Sequence, residues 1–290
     1  MPWHRCRERL IESAIRLCGV SSIAIVALIF LFLIKEGLGL LMTMPLAEFL
    51  GGQRWHPISE PPRFGILPLI LGSLAVTAGA TILSVPLGIA SALFIAEIAT
   101  GWTKEALKTG IELLAAIPSV VLGFIGMTIL VPIVKTTFGL PTGLTAMTGS
   151  IMLAFMAMPT IVSITEDALV AVPKSHREAA LALGATRWQM MFRILLPAAG
   201  SGIVAAVMLG IGRVIGETMA VMMVTGNAAV IPKTVLQPVR TMTATIAAEM
   251  GETVRGSDHY AALFAIGIVL FAISFAINMV ADLILHRERS

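Results

Sequence analysis

Six stretches of this chain are long and apolar enough to cross a lipid bilayer, and no other feature restricts its fold as strongly. A spanning helix needs about 20 predominantly apolar residues. Runs of that kind, bounded by charge, Gly or Pro, cover residues 17–34, 67–96, 111–134, 147–165, 198–225 and 261–285. The second and fifth exceed what a span requires, so part of each is expected to tilt, kink or run into an interfacial turn, with Pro86 as the candidate kink in the second. Composition agrees with a lipid solvent. Of 290 residues 57% are hydrophobic and 13% charged, with a mean hydropathy of +0.92, against roughly 25% charged in an ordinary soluble domain. A soluble enzyme, a disordered chain and a collagen-like chain are excluded by that balance. With only Cys6 and Cys18 present, so is a disulfide scaffold.

Arg5, Arg7 and Arg9 precede the first run as they would in a secretory signal. The run is nevertheless longer than a typical apolar signal core of about 7–15 residues, and Ile34-Lys35-Glu36 offers no small-x-small cleavage site. It reads as a retained span. Six spans place both termini on one side, and the distribution of Lys and Arg identifies that side. Loops on the side of the termini hold Arg5, Arg7, Arg9, Arg16, Lys104, Lys108, Lys174, Arg177, Arg187, Arg193, Arg287 and Arg289. The opposite, longer loops hold only Lys35, Arg54, Arg63, Lys135, Lys233, Arg240 and Arg255, so both termini are expected in the cytoplasm. A net charge of +3, one Tyr and basic residues in short clusters argue against a nucleic-acid partner. No internal repeat or low-complexity tract is found.

Two outer loops are long. Residues 35–65 carry Trp55 and Pro61-Pro62, and residues 226–259 carry Pro232 and Pro238. They have room for short helices but read mainly as polar connections, with Glu249, Glu252 and Asp258 solvated. Trp55 and the 226–259 loop are candidate contacts for an external partner.

The inner loop 166–197 is different in kind. Pro173 and Ser175 stand where a helix starts, Ala179, Ala180, Leu181 and Leu183 continue it, Gly184 breaks it, and Trp188, Met191 and Ile194-Leu195 resume at helical spacing as far as Pro197. From composition alone this is either a basic loop that only sets topology or a knob for a partner's groove. In the fifth run, Arg213 and Glu217 sit four residues apart among apolar neighbours. A charge at the bilayer centre costs about 2.5–3.5 kcal/mol on insertion scales. The two residues read either as a mutually neutralising pair that lets the helix insert or as a functional site. Gly212 and Gly216 form a small-xxx-small pair of the sort that marks close helix packing.

Glu178-Ala179-Ala180, three residues, Gly184, nine residues and Ile194-Leu195-Leu196-Pro197 together resemble the EAA loop of ABC importer permeases. The stretch from Gly212 to Val221, GRVIGETMAV, resembles the corresponding segment of the PstC-type, phosphate-specific permeases, with Val214 where alanine is usual. Phe64 to Leu69, Ala116 to Val121 and Glu166 to Glu178 resemble the same family, so the likeness runs from about Phe64 to Asn227.

The resemblance implies an all-α membrane protein of six transmembrane helices, with the type I ABC importer permease fold and a cytoplasmic coupling helix. Three parts are expected: 1–66 as N-terminal tail, first span and external loop; 67–285 as the permease core; 286–290 as the C-terminal tail. It further implies inorganic phosphate import across the cytoplasmic membrane by alternating access. The implied partners are a homologous second permease, two cytoplasmic ATPase subunits and an external phosphate-binding protein. Glu178, Ala179, Ala180 and Gly184 would couple to the ATPase, and Arg213 and Glu217 would line the pathway. This chain has no G-x-x-x-x-G-K-[ST] loop, so ATP would be used by the partner. No catalytic residue, metal site or cofactor is assigned to it. Competing readings are a permease for another oxyanion, such as molybdate or sulfate, a non-ABC secondary transporter, and a membrane receptor.

Overall fold

The computed structural model describes the backbone of residues 2–287 and the side chains of residues 8, 11–280 and 283. The terminal charges at Arg5, Arg7, Arg9, Arg287 and Arg289 lie outside the described side chains. The helices run in order α1 (Pro2–Thr43), α2 (Leu46–Gly51), α3 (Leu67–Ile98), α4 (Gly101–Ala116), α5 (Ser119–Thr137) and α6 (Ala146–Ala171). They continue as α7 (Lys174–Ala182), α8 (Arg187–Ala198), α9 (Gly200–Ile215), α10 (Met219–Val224), α11 (Met242–Glu249) and α12 (Asp258–Arg287). Between α2 and α3 lies an antiparallel hairpin of β1 (Trp55–His56) and β2 (Arg63–Phe64), pairing Trp55 with Phe64 and His56 with Arg63.

Helices α1, α3, α5, α6 and α12 are each long and apolar enough to span a membrane, and α8 with α9 makes a sixth candidate bent by 72°. Helix α3 continues through Pro86. The third span differs from the expected 111–134. Pro118 separates α4 from α5, because its ring cannot continue the helix and pushes Ile117 to extended backbone (φ −69°, ψ 126°). The apolar last turns of α4 and the start of α5 had read as one run. Helix α4 buries none of its residues and is tied to α6 by Lys108 and Lys104, whose ammonium groups lie 3.0 and 3.8 Å from the carboxylate of Glu166. Glu166 is buried and belongs to α6, which runs on to Ala171, so the connection carrying α7 begins at Val172 and not at 166. The hydrogen bond from Lys108 to Glu166 holds the Lys108 ammonium above its usual pKa, so Lys108 stays charged throughout the neutral range.

Helix α6 is the centre of the molecule. Its Met152, Met156, Ala157 and Ile161 meet Val76 and Ala80 of α3, Leu122 of α5, Val214 of α9 and Ala220 and Val224 of α10. Glycine permits this approach: a Cβ on Gly79 would sit 2.4 Å from Ser150 Oγ, and one on Gly210 would sit 2.6 Å from the side chain of Ile161. The glycines expected to pack, Gly212 and Gly216, meet no neighbouring helix within 4 Å.

The 226–259 loop is not a polar connection. Its Gln237 and Val235 carbonyls accept from Ala146 and Met147 at 2.9 and 2.8 Å, and Ser73 Oγ accepts from the Met242 amide at 3.0 Å. Thr241 caps α11 through the Ala244 amide, and Met242 to Thr245 are buried. Glu249, expected in solvent, is a hub: Trp55 Nε1 donates to it at 3.1 Å, Arg240 Nη1 at 2.5 Å, and His259 Nε2 lies 2.8 Å away. Trp55 is itself 3% exposed, so its ring is packing between hairpin and loop, not a contact surface for an external partner. Removing one member of such a network leaves a half-buried charge and an indole N–H without partners, at a cost of about 2–3 kcal/mol. Glu249→Ala is therefore expected to lower the thermal midpoint of the detergent-purified protein and to open the 226–259 loop to protease, with Glu249→Gln intermediate. An unchanged midpoint and protease pattern would show that the hub is dispensable.

Candidate functional site

The run 198–225 does not form one helix. Helix α9 ends at Ile215, Gly216 is its C-cap, and Thr218 leaves helical geometry (φ −122°, ψ −58°) before α10 begins. An i,i+4 pair requires an unbroken helix, and none exists across this point. The expected mutual pairing of Arg213 and Glu217 is accordingly not formed; among the described residues no ion pair joins them. Arg213, in the last turn of α9, donates through Nη1 to Thr160 Oγ1 on α6 at 3.2 Å. Glu217 Oε1 accepts from the Ala220 amide at 3.4 Å, a long bond across the first turn of α10. Both side chains are half-buried.

Backbone freed by the break finds partners nearby. The Gly216 and Glu217 amides donate to the carbonyls of Gly212 and Val214 at 3.3 and 3.2 Å, and Thr218 Oγ1 donates to the Gly216 carbonyl at 3.2 Å. The Glu217 carbonyl accepts from Thr243 Oγ1 at 2.8 Å, so the buried start of α11 reaches down to the break from the loop above. Thr160 and Thr243 were not singled out from the sequence. Each lies far along the chain from its partner, and the only local hint was the threonine-rich run 241–245 in a loop otherwise read as polar.

Chemically, the break offers a guanidinium and a carboxylate that do not neutralise each other. A guanidinium carries five N–H donors. Arg213 makes one side-chain hydrogen bond among the described residues. Its fork is suited to an oxyanion, while Glu217 is an acceptor for a donor group.

The second region lies at the far end of α6. Helix α7 begins after Pro173 and ends at Ala182, and Gly184 follows with φ +81°, where a side chain would strain the backbone. No atom lies within 4 Å of a Cβ built there, so this glycine serves the turn and not a close contact. Thr186 and Gln189 then form a reciprocal capping box that starts α8. Of the residues singled out on α7, Glu178 and Ala179 are exposed, whereas Ala180 is buried against Leu169, Val172 and Met190 of its own chain. The exposed apolar tip is Leu183, 89% accessible.

Arg177, counted from the sequence only as a basic loop residue, fixes this helix. It donates to Glu97 at the end of α3 (Nε, 3.0 Å) and to the carbonyls of Val172 (Nη1, 2.9 Å) and Leu169 (Nη2, 2.8 Å) at the end of α6. A single guanidinium thus satisfies orphan carbonyls of α6 and clamps α7 to two spans. Eighty residues separate it from Glu97, and no local pattern signals the pair.

Residues 84–290 match the family described as binding-protein-dependent transport system inner membrane component. YqgH of Bacillus subtilis (strain 168), a probable ABC transporter permease protein, is 43% identical over 271 residues, 93% of this chain and 87% of its own length. The phosphate transport system permease protein PstC of Mesorhizobium japonicum is 36% identical, with 83% of this chain and 78% of the relative covered. PstC of Xylella fastidiosa (strain 9a5c) is 32% identical, with 91% and 88% covered. Among solved structures, a bacterial alginate ABC transporter in complex with an alginate pentasaccharide-bound periplasmic protein aligns with a TM-score of 0.65 at 17% identity, covering 93% of this chain and 94% of that one. The MetNI methionine ABC transporter in an inward-facing form aligns at 0.62 and 19%, covering 80% and 99%. These two likenesses establish the fold, that of a type I ABC importer permease. Taken with the family match over most of its length, they mean that the chain belongs to the binding-protein-dependent transport system inner membrane components.

Proposed function

We propose that this chain is the permease subunit of an ATP-driven importer and carries inorganic phosphate across the cytoplasmic membrane by alternating access. The observation that carries the substrate is Arg213: a half-buried guanidinium at a helix break, held by Thr160 with donors to spare, in a chain similar to permeases named for phosphate. In this reading the chain performs no bond chemistry. It pairs with a homologous permease, stands on two cytoplasmic ATPase subunits that bind ATP, and receives phosphate from an external binding protein. Both termini face the cytoplasm, a reading that the distribution of Lys and Arg supports.

In this reading α7 is the coupling helix. Glu178, Ala179 and the Leu183 tip enter the ATPase cleft, Gly184 supplies the turn, and Ala180 holds the helix to its own chain. Force reaches the spans through Arg177 and its bonds to α3 and α6. At the break, Arg213 binds phosphate oxygens, and Glu217 accepts from the hydroxyl of hydrogen phosphate, a donor that sulfate lacks. Glu217 does not position Arg213 in this scheme; Thr160 does.

Uptake of radiolabelled phosphate at low external concentration, in cells lacking the gene and restored with variants, tests the substrate. Wild type should restore phosphate uptake and not molybdate or sulfate uptake; return of another oxyanion instead would retain an ABC permease and reject phosphate. Arg213→Gln should lower uptake by on the order of 10–100-fold at normal membrane levels, the worth of a charge-assisted hydrogen bond, with Arg213→Lys between. Glu217→Gln should narrow the preference for phosphate over sulfate, and full transport with unchanged selectivity would remove Glu217 from the scheme.

The coupling reading has its own test. Gly184→Ala forces a side chain into left-handed backbone at about 1–2 kcal/mol and should reduce uptake while leaving ATP hydrolysis by the purified complex; Gly184→Asn should be milder. Arg177→Gln should uncouple the two activities more strongly. Parallel loss of hydrolysis and uptake in step with loss of the complex would point to assembly alone.

A further inference from the structure

The region just after α7 carries a feature that transport of phosphate leaves unused. Helix α8 leaves α9 at 72°. A spanning helix is tilted on average only about 20° from the membrane normal, so with α9 as a span, α8 runs close to the plane of the bilayer surface. Its sequence fits that position. Trp188 and Phe192 stack on each other with ring centroids 5.8 Å apart, and both stay largely exposed, at 62% and 54%. Arg187 and Arg193, next to them in the chain, are exposed and make no ion pair among the described residues.

Between α8 and α3 lies an apolar groove of about 330 Å³, lined by Pro86, Ala90, Phe94 and Ile98 on one side and Trp188 and Phe192 on the other. Two exposed rings lining an apolar slot, with an exposed arginine next to each of them in the chain, match one class of ligand in both of its halves. An acyl chain fills the slot, and a phosphate-bearing, anionic headgroup meets the arginines. A zwitterionic lipid would satisfy the slot but bring a balancing cation to the two arginines.

We propose that α8 and α3 form a binding site for an anionic phospholipid of the leaflet that faces α7. The site adjoins the Thr186 cap, so the bound lipid holds the base from which α7 projects. The site is the same whichever substrate crosses.

The test uses the chain purified with its associated subunits and reconstituted in phosphatidylcholine discs containing a fixed fraction of either brominated phosphatidylglycerol or brominated phosphatidylcholine. The quenching assigned to Trp188 is the difference between wild type and Trp188→Phe, which removes the contributions of the other three tryptophans. Brominated phosphatidylglycerol should quench that component several-fold more than brominated phosphatidylcholine at equal fraction, and the Arg187→Gln, Arg193→Gln double variant should equalise the two while keeping the phosphatidylcholine value. Equal quenching by both lipids in the wild-type chain would overturn the headgroup site. Absence of Trp188-dependent quenching by either would show that another protein subunit covers this face, which also overturns the proposal. Phosphate uptake is read separately, so failure here leaves the transport reading standing.

Discussion

In hydrocarbon a backbone amide or carbonyl has no water to turn to, and that constraint governs this structure more than any side-chain pairing. Unbroken helices satisfy it by themselves. The interruption between α9 and α10 satisfies it only because the neighbouring turn and α11 supply the missing partners, with Thr243 closing the Glu217 carbonyl from above. The 226–259 loop folds into the body of the protein for the same reason. It covers the interrupted backbone, and it is pinned there by Ser73, by the first amides of α6 and by the Glu249 hub. A helix break, a buried loop and a charged hub are thus parts of one arrangement.

The spans were legible from the chain because apolar length is a local property. The loop carrying α7 was legible too, since prolines, a glycine and a resumption of helical spacing mark it at every boundary, and Gly184, read as the helix breaker, follows the end of α7 in left-handed backbone. What could not be read locally was misplaced. A window over 111–134 averaged two helices across Pro118, and the i,i+4 spacing of Arg213 and Glu217 was read as a pair because Gly216 looked like a packing residue and not a helix end. Charged residues with remote partners were the hardest. Glu249 meets Trp55 across 194 residues, Arg177 meets Glu97 across 80, and Arg213 meets Thr160 across 53. Loop position alone made Glu249 look solvated and Arg177 look like a topology signal.

The middle and the C-terminal end of α6 are built on different physics. Near Arg213 and Glu217, opposite charges are kept apart and half-buried, which leaves hydrogen-bonding capacity unused among the described residues. At Glu166 and Arg177, charge is fully engaged, by two lysines in one case and by a carboxylate and two carbonyls in the other, which gives rigidity. Helix α6 joins a stiff base at Glu166 to a mid-section at Thr160, and the buried Ile161, Val162 and Thr165 lie between the two levels.

The 72° corner at Ala199 makes α8 and α9 a bell crank. Arg213 stands fourteen residues beyond that corner, about 21 Å along the helix at 1.5 Å per residue. A rotation of roughly 10° about the corner sweeps the guanidinium sideways by about 4 Å, more than a hydrogen-bond length. A sweep of that size would part Arg213 from Thr160 without unwinding a turn.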